Sequence, residues 1–248
     1  MGKLAGKVAI ISGAAQGMGA AHARAFVGEG AKVVLTDLNE PDGKALAQEL
    51  GSDAIFVAHD VTDLDQWKSV VIEAERAFGP VNVLVNNAGI IGVAASTVDF
   101  SESDFAAVCA VNEKGVFFGM KTVIPSMLKG GGGSIINISS IAGMIGLAES
   151  PNLAYVGTKF AVRGMTKFVA TEYGPQNIRV NSIHPGFIMT PMMVAATDDS
   201  VIAAAETIPL KRMAQPEEVS KLVVFLASDD SAYINGAEHV IDGGLIAG

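Results

Sequence analysis

Short runs of branched apolar residues alternate along this chain with longer stretches whose apolar positions recur every three or four residues. KVAIIS (7–12), KVVLTD (32–37), AIFVAHD (54–60), VNVLVNNAG (81–89), GSIINISS (133–140), IRVNSIHPG (178–186) and HVIDGG (239–244) read as strands. Helical spacing marks GMGAAHARAFVGEG (17–30), PDGKALAQEL (41–50), LDQWKSVVIEAERAFG (64–79), a long span from about 101 to 129, and the segment carrying Tyr155. PMMVAATDDSVIAAAETI (191–208) and PEEVSKLVVFLAS (216–228) also read as helices. The strand runs are rich in Val and Ile, the pattern of strands covered on both faces in a parallel sheet. No Pro-, Gly- or Ser-rich linker divides the chain, and KGGGG (129–133) reads as a helix-to-strand turn. The expectation is one α/β domain spanning residues 1–248, doubly wound, with a seven-stranded parallel sheet flanked by helices.

Composition narrows the function classes. Half of the 248 residues are apolar and 17% are charged, enough to bury a substantial core and a poor match to disorder. The net charge of −9, from 17 basic and 26 acidic residues, argues against a nucleic-acid surface. Cys109 is the single cysteine, so no intrachain disulfide can form. It reads as a small buried hydrophobe. The opening MGKLAGKVAIISGAAQGMG is too short for a signal-peptide pattern, and no apolar run reaches the length of a membrane span. A reducing cytoplasm is the expected compartment, with no nucleic-acid or membrane partner and no metal ligand set.

Two features suggest chemistry. After the first strand comes Gly13-Ala14-Ala15-Gln16-Gly17-Met18-Gly19, and a helix follows. Glycines there let the backbone turn sharply and approach a diphosphate, while the helix N-terminus favours the anion. In this strand–loop–helix context the motif indicates a Rossmann-type dinucleotide site. Asp37 ends the second strand, where a carboxylate can accept from an adenosine ribose and repel a 2′-phosphate. No Lys or Arg lies in the loop, and Leu38 follows, which favours NAD over NADP. A turn aspartate is the alternative, since Asn39 and Pro41 come next. The second feature is LAYVGTKFAV, which places Tyr155 and Lys159 four residues apart, on one helical face. A neighbouring ammonium favours the phenolate, so the pair could be a tuned proton donor; a surface tyrosine with a solvated lysine is the alternative.

Taken in order, GAAQGMG (13–19), NNAG (86–89), NISS (137–140), YVGTK (155–159), PG (185–186) and DGG (242–244) resemble the motifs of the classical short-chain dehydrogenase/reductase family. The resemblance covers nearly the whole chain. It implies cofactor contacts at Gly13, Gln16, Gly17, Met18, Gly19, Asp37 and Leu38, and adenine contacts at Asp60 and Val61. It implies that Asn87, Ala88 and Gly89 lie along the cofactor ribose. Asn112 is implied to bend its helix and hold a water behind the catalytic lysine. Ser140 is implied to donate to the substrate oxygen, and Tyr155 to act as general acid or base. Lys159 would lower the tyrosine's pKa and hold the nicotinamide ribose. Pro185, Gly186, the Ile188 backbone and the Thr190 hydroxyl would anchor the carboxamide. Alternation along the fifth strand leaves Ser139 for local packing.

The resemblance further implies a substrate lid at about 189–208, with Met189, Met192, Met193, Val194 and Ile202 as apolar lining; core or subunit packing is the other reading of these methionines. The segment from Ser140 to Tyr155 is about two residues longer than is usual in the family, with Ser150, Pro151 and Asn152 as the added turn. The implied activity is reversible hydride transfer between NAD(H) and a secondary alcohol or ketone, bulky, cyclic or steroid-like. A 3-oxoacyl-carrier-protein reductase is the alternative, disfavoured by Asp37 and the acidic charge. An enoyl reductase would space its tyrosine and lysine further apart. A catalytically silent NAD-binding homologue would lack part of the Asn112, Ser140, Tyr155 and Lys159 set. A homotetramer is implied, pairing the helices at 101–129 and 153–173 across one interface and the C-terminal strand and helix across another.

Overall fold

The computed structural model of the protein describes residues 2–146, 152–191, 193 and 205–248. Ser150 and Pro151 of the expected added turn, Met192, Val194 and Ile202 of the expected lid, and most of the helix expected over 191–208 lie outside the described residues.

Seven strands form one sheet: β1 (Val8–Ser12), β2 (Lys32–Asp37), β3 (Ala54–Ala58), β4 (Val83–Asn86), β5 (Gly133–Ile138), β6 (Ile178–Pro185) and β7 (Glu238–Ile241). Their order is β3-β2-β1-β4-β5-β6-β7, and every pairing is parallel. Alternate residues of a strand enter opposite layers. Ala9 and Ile11 of β1 join Phe26, Val219 and Val223 on one face, while Val8 and Ile10 join Trp67, Met120 and Val123 on the other. Both layers are apolar, which is why the strands show no polar alternation. The chain is a Rossmann-type, doubly wound α/β protein.

The covering helices are α1 (Gly17–Gly28), α2 (Glu40–Leu50), α3 (Leu64–Phe78), α4 (Glu102–Cys109), α5 (Gly115–Lys129), α6 (Leu153–Tyr173) and α7 (Pro216–Ala227). Asn39, Asp63, Ser101 and Asn152 cap α2, α3, α4 and α6 with side-chain acceptors. No side chain caps α1, and its first turn carries no acid. The single helix expected over 101–129 is interrupted: a π-helical turn, Ala110–Lys114, joins α4 to α5. Such wide turns cluster at functional sites, and this one contains Asn112. No described helix is long and apolar enough to cross a membrane.

The topology gathers the candidate residues. Chain order reverses between β1 and β4, where a crevice opens beyond the carboxyl ends of the strands. Gly13, Asn87, Ser139 and Ser140 follow the ends of β1, β4 and β5, while Asp37 and Pro185 are the last residues of β2 and β6.

Candidate active site

The crevice at the switch point is lined by twelve of the residues expected to hold a dinucleotide: Gly13, Gln16, Gly17, Met18, Asp37, Leu38, Asp60, Val61, Asn87, Ala88, Gly89 and Thr190. His59, Ile90, Val111 and Pro191 complete the lining. Two glycines are fixed by space. Gly13 has φ +64°, and a Cβ there would sit 2.8 Å from Ala88 Cα. A Cβ on Gly19 would fall 2.0 Å from the Gly13 carbonyl oxygen. The glycine loop thus passes against the end of β4 with no room for a side chain at Gly13, and closes on itself with none at Gly19. Buried polar groups hold this approach. Asn87 Nδ2 donates to the Ser12 and Gly13 carbonyls at 2.9 and 3.0 Å, and Ser12 Oγ accepts from the Asn87 and Ala88 amides at 3.1 Å each. Asn87 Oδ1 is buried with no partner. An uncapped helix start behind a loop with glycine at 13, 17 and 19 fits a diphosphate.

Asp37 serves both readings of its position. Its Oδ2 accepts from Ala15 N at 3.0 Å and its Oδ1 from Asn39 N at 2.9 Å, so it fixes the turn. Each carboxylate oxygen can accept further bonds. Asp60 Oδ1 accepts from the Thr62 amide and hydroxyl, while Asp63 caps α3. Trp67 Nε1 donates to the Val61 carbonyl at 3.0 Å. No Lys or Arg is among the residues lining the crevice.

Beyond the crevice, α6 presents Tyr155 and Lys159 one turn apart, with Lys159 Nζ 5.5 Å from the centroid of the Tyr155 ring. Lys159 is buried, and its Nζ donates to the Ile138 carbonyl at 2.9 Å. Ser139 Oγ donates to the Lys159 carbonyl at 2.9 Å, a local structural role. Ser140 Oγ accepts from Ala142 N at 3.1 Å and opens a short 3₁₀ turn, Ile141–Gly143. Asn112 is fully buried and brackets one residue of the loop after β4. Its Nδ2 donates to the Ile90 carbonyl and its Oδ1 accepts from the Ile90 amide, both at 2.8 Å. A Cβ on Gly89 would lie 3.3 Å from Asn112 Oδ1 and 3.5 Å from Lys159 Nζ, so these three residues converge.

Pro185, Gly186 and Ile188 lie outside the crevice lining. Gly186 N donates to the Ile241 carbonyl at 3.0 Å, and Ile188 bridges to Ala214. Thr190 faces the glycine loop, 3.6 Å from where a Cβ of Gly17 would be.

Several neighbours escaped the sequence reading. Asn152, expected only as part of an added turn, accepts from Tyr155 N at 2.9 Å and donates through Nδ2 to the Ile91 carbonyl at 2.5 Å. It ties the start of α6 to the loop after β4. His59 contacts Thr36 Oγ1 at 3.0 Å and stands edge-on to Trp67; burial lowers its pKa to about 4. His184 contacts the Ser140 carbonyl at 3.0 Å. Cys109 is partly exposed, correcting its expected burial, and its thiol is held up by burial and by Glu113.

The electrostatics correct one expectation. Burial pushes the Tyr155 phenol up, with the Ser140 hydroxyl partly offsetting the rise. Burial also holds the Lys159 ammonium's own pKa down at about 8, and one of its N–H groups donates to the Ile138 carbonyl. The protein alone therefore keeps the tyrosine protonated at neutral pH.

Comparison with known proteins agrees with this arrangement. A family model described as enoyl-(acyl carrier protein) reductase matches residues 13–246. The chain is 50% identical over 247 residues to a 3-alpha-(or 20-beta)-hydroxysteroid dehydrogenase of Mycobacterium tuberculosis, covering 100% of this chain and 92% of that protein. It is 44% identical to a trans-4-hydroxycyclohexanecarboxylate dehydrogenase of Sinomonas cyclohexanicum, over 99% of this chain and 95% of the relative. It is also 43% identical to a 3-oxoacyl-[acyl-carrier-protein] reductase of Thermotoga maritima, over 98% and 99%. Fold and site define a nicotinamide-dependent oxidoreductase. The chain belongs to the short-chain dehydrogenase/reductase family and is an alcohol dehydrogenase or ketone reductase in class.

Burial of Lys159 has a stability consequence. Its folded pKa of about 8 lies below the ordinary 10.5, so the cost is fully present below pH 8 and fades as pH rises to 10.5. The shift corresponds to a net cost of about 3 kcal/mol for the charged form. Lys159→Met without added dinucleotide should melt above the wild type at pH 7, and the gap should close by pH 10. Melting curves at the two pH values check this; a gap unchanged with pH would contradict it.

Proposed function

We propose that this protein reversibly oxidises bulky, cyclic or steroid-like secondary alcohols to ketones with NAD as cofactor, using residues 1–248 as a single catalytic domain. The observation that carries the reading is the convergence of Ser140, Tyr155, Lys159 and Asn112 beside a crevice bordered by the glycine loop. Names of the relatives support the substrate class: the hydroxysteroid and hydroxycyclohexane dehydrogenases share a ring-borne secondary alcohol. Asp37 at the end of β2, with no cation in the lining, supports NAD rather than NADP.

Gly13, Gly17 and the α1 start would hold the diphosphate, Asp37 the adenosine ribose, Asp60 and Val61 the adenine. Asn87, Ala88, Gly89, Pro185, Gly186, Ile188 and Thr190 would flank the nicotinamide half, with Gln16, Met18 and Leu38 along the rim. A nicotinamide held there would supply or accept the hydride at the substrate carbon. Tyr155, kept protonated by burial, gives its proton to the forming alkoxide in ketone reduction and takes it back in oxidation. Ser140 donates to the same oxygen and stabilises its developing charge. Lys159 holds positive charge beneath the ring. Asn112 fixes Ile90 and the adjoining wall.

The likeness to the Thermotoga reductase favours a second reading, reduction of a 3-oxoacyl carrier. A surface with net charge −9 suits an acidic carrier poorly. We propose a homotetramer, a reading supported by exposed apolar residues on the relevant helices: Phe105 of α4, Phe117 of α5, and Phe160 and Phe168 of α6. Tyr233 and Val240 near β7 are also exposed, in keeping with a second contact. A single cysteine suits a reducing cytoplasm.

A panel of cyclic and acyl-thioester ketones, read at 340 nm, separates the two substrate readings. Tyr155→Phe should lower turnover at least hundredfold while NADH binding, measured by fluorescence, stays within twofold; equal rates would remove Tyr155 as the acid. Replacing Asp37 by Ala should cut the preference for NAD over NADP by tenfold or more, the scale of a charge-assisted hydrogen bond; a wild-type kcat/KM ratio would dismiss the assignment. Phe168→Glu should shift sedimentation from tetramer toward smaller species, and a wild type sedimenting as a monomer would end the association proposal.

A further inference from the structure

His184 occupies the strand next to the candidate catalytic serine, and hydride transfer as described does not use it. The side chain is fully buried, as is Ser182 two residues before it on β6. Nδ1 lies 3.0 Å from the Ser140 carbonyl oxygen, and Nε2 lies 2.9 Å from Ser182 Oγ. A carbonyl only accepts, so Nδ1 carries the hydrogen, and in the neutral ring Nε2 accepts from the Ser182 hydroxyl. The tautomer is fixed by its two partners. Burial holds the ring's pKa below the ordinary histidine value. The charged groups facing it are Lys159 and Arg163 of α6 and Glu238 of β7.

Ser140 needs such support. Pairing of β5 with β6 ends at Ile138, with one more bond from Ser139 N to the Ile183 carbonyl at 2.8 Å. From Ser140 onward the chain leaves the sheet. The far end of the same turn is held separately: Arg163 Nη1 donates to the Gly143 carbonyl at 2.7 Å, while its other nitrogens clasp Glu238 at 3.1 and 2.9 Å. At the near end the Ser140 carbonyl accepts from the Gly143 amide at 2.9 Å within the turn, and His184 is the side chain that ties it to β6.

We propose that His184 is a positioning residue: through its Nδ1–H it fixes the peptide of Ser140, and so the direction in which the serine hydroxyl meets the substrate oxygen, with Ser182 locking the ring. This rests on the reading of Ser140 as the group that donates to the substrate. The chemistry gives the replacements distinct meanings. Asn places a donor where Nδ1 stands and abandons Ser182. Gln reaches the Nε2 position and abandons Ser140, although its volume is closer to that of histidine.

The test measures kcat and KM with NADH and a cyclic ketone for His184→Asn, His184→Gln and His184→Leu, alone and combined with Ser140→Ala. The expected result is a kcat within about threefold of wild type for Asn and ten- to hundredfold lower for Gln and Leu, with the KM for NADH unchanged. In the Ser140→Ala background the three replacements should cost no more than about twofold, because the hydroxyl they orient is gone. A purely structural role would favour Gln over Asn by volume and would add its full loss on top of Ser140→Ala; either outcome overturns the inference. If the Leu variant does not fold, the Asn–Gln order decides. Wild-type kcat in Ser140→Ala itself would instead sink the site reading, which keeps the two failures apart.

Discussion

An ammonium group held out of water is the constraint around which this site is organised. Among the described residues Lys159 Nζ has one protein acceptor, the Ile138 carbonyl at 2.9 Å, and burial brings its pKa to about 8. A charge so placed is expensive unless paired, and among the described residues no carboxylate pairs with it. Its neighbours follow from that choice. Ser139 spends its hydroxyl on the Lys159 carbonyl, steadying the helix where the side chain departs. A Cβ on Gly89 would press on Asn112 Oδ1 at 3.3 Å and touch Lys159 Nζ at 3.5 Å. Asn112 is turned to the Ile90 backbone and keeps that wall fixed. Function thus draws on stability that a methionine in the same place would return.

The backbone at the carboxyl ends of the strands cannot hold itself by ladder hydrogen bonds, because the strands have ended. Side chains do the work instead, and they do it in pairs. Ser12 and Asn87 strap the glycine loop to β4. Asn112 and Asn152 secure Ile90 and Ile91 from two different helices. His184 and Arg163 hold the two ends of the turn that begins at Ser140. Each bond joins a side chain to a main-chain group, so each fixes position without adding a reactive group. Buried polar networks of this kind are costly when half made and rigid when complete.

Much of the fold could be read in the sequence because its signals are local. Strand β2 begins and ends where KVVLTD does, since branched apolar residues and a following Asn39 cap determine both ends. The Tyr155–Lys159 pair was visible because helical periodicity alone brings positions four apart together. What escaped depends on contacts distant in sequence. His184 meets Ser140 across 44 residues, Asn152 meets Ile91 across 61, and Ser12 meets Asn87 across 75. Nothing beside these residues in the chain signals such partners. The direction of the Tyr155 pKa is hidden for a related reason: spacing shows the phenol's charged neighbour but not its solvation, and desolvation dominates.

The wide turn at Ala110–Lys114 sets the rotational phase of α5 as well as the depth of Asn112. An α-helix advances about 100° per residue, so closing that turn by one residue would rotate everything after it by roughly that angle. Phe117, now partly exposed, and Met120 and Val123, now in the core, would trade orientations. One irregular turn therefore acts as a gear between the chemistry at one end of the helix and the outer face along its side. A length change there would disturb both together, however conservative the residues involved.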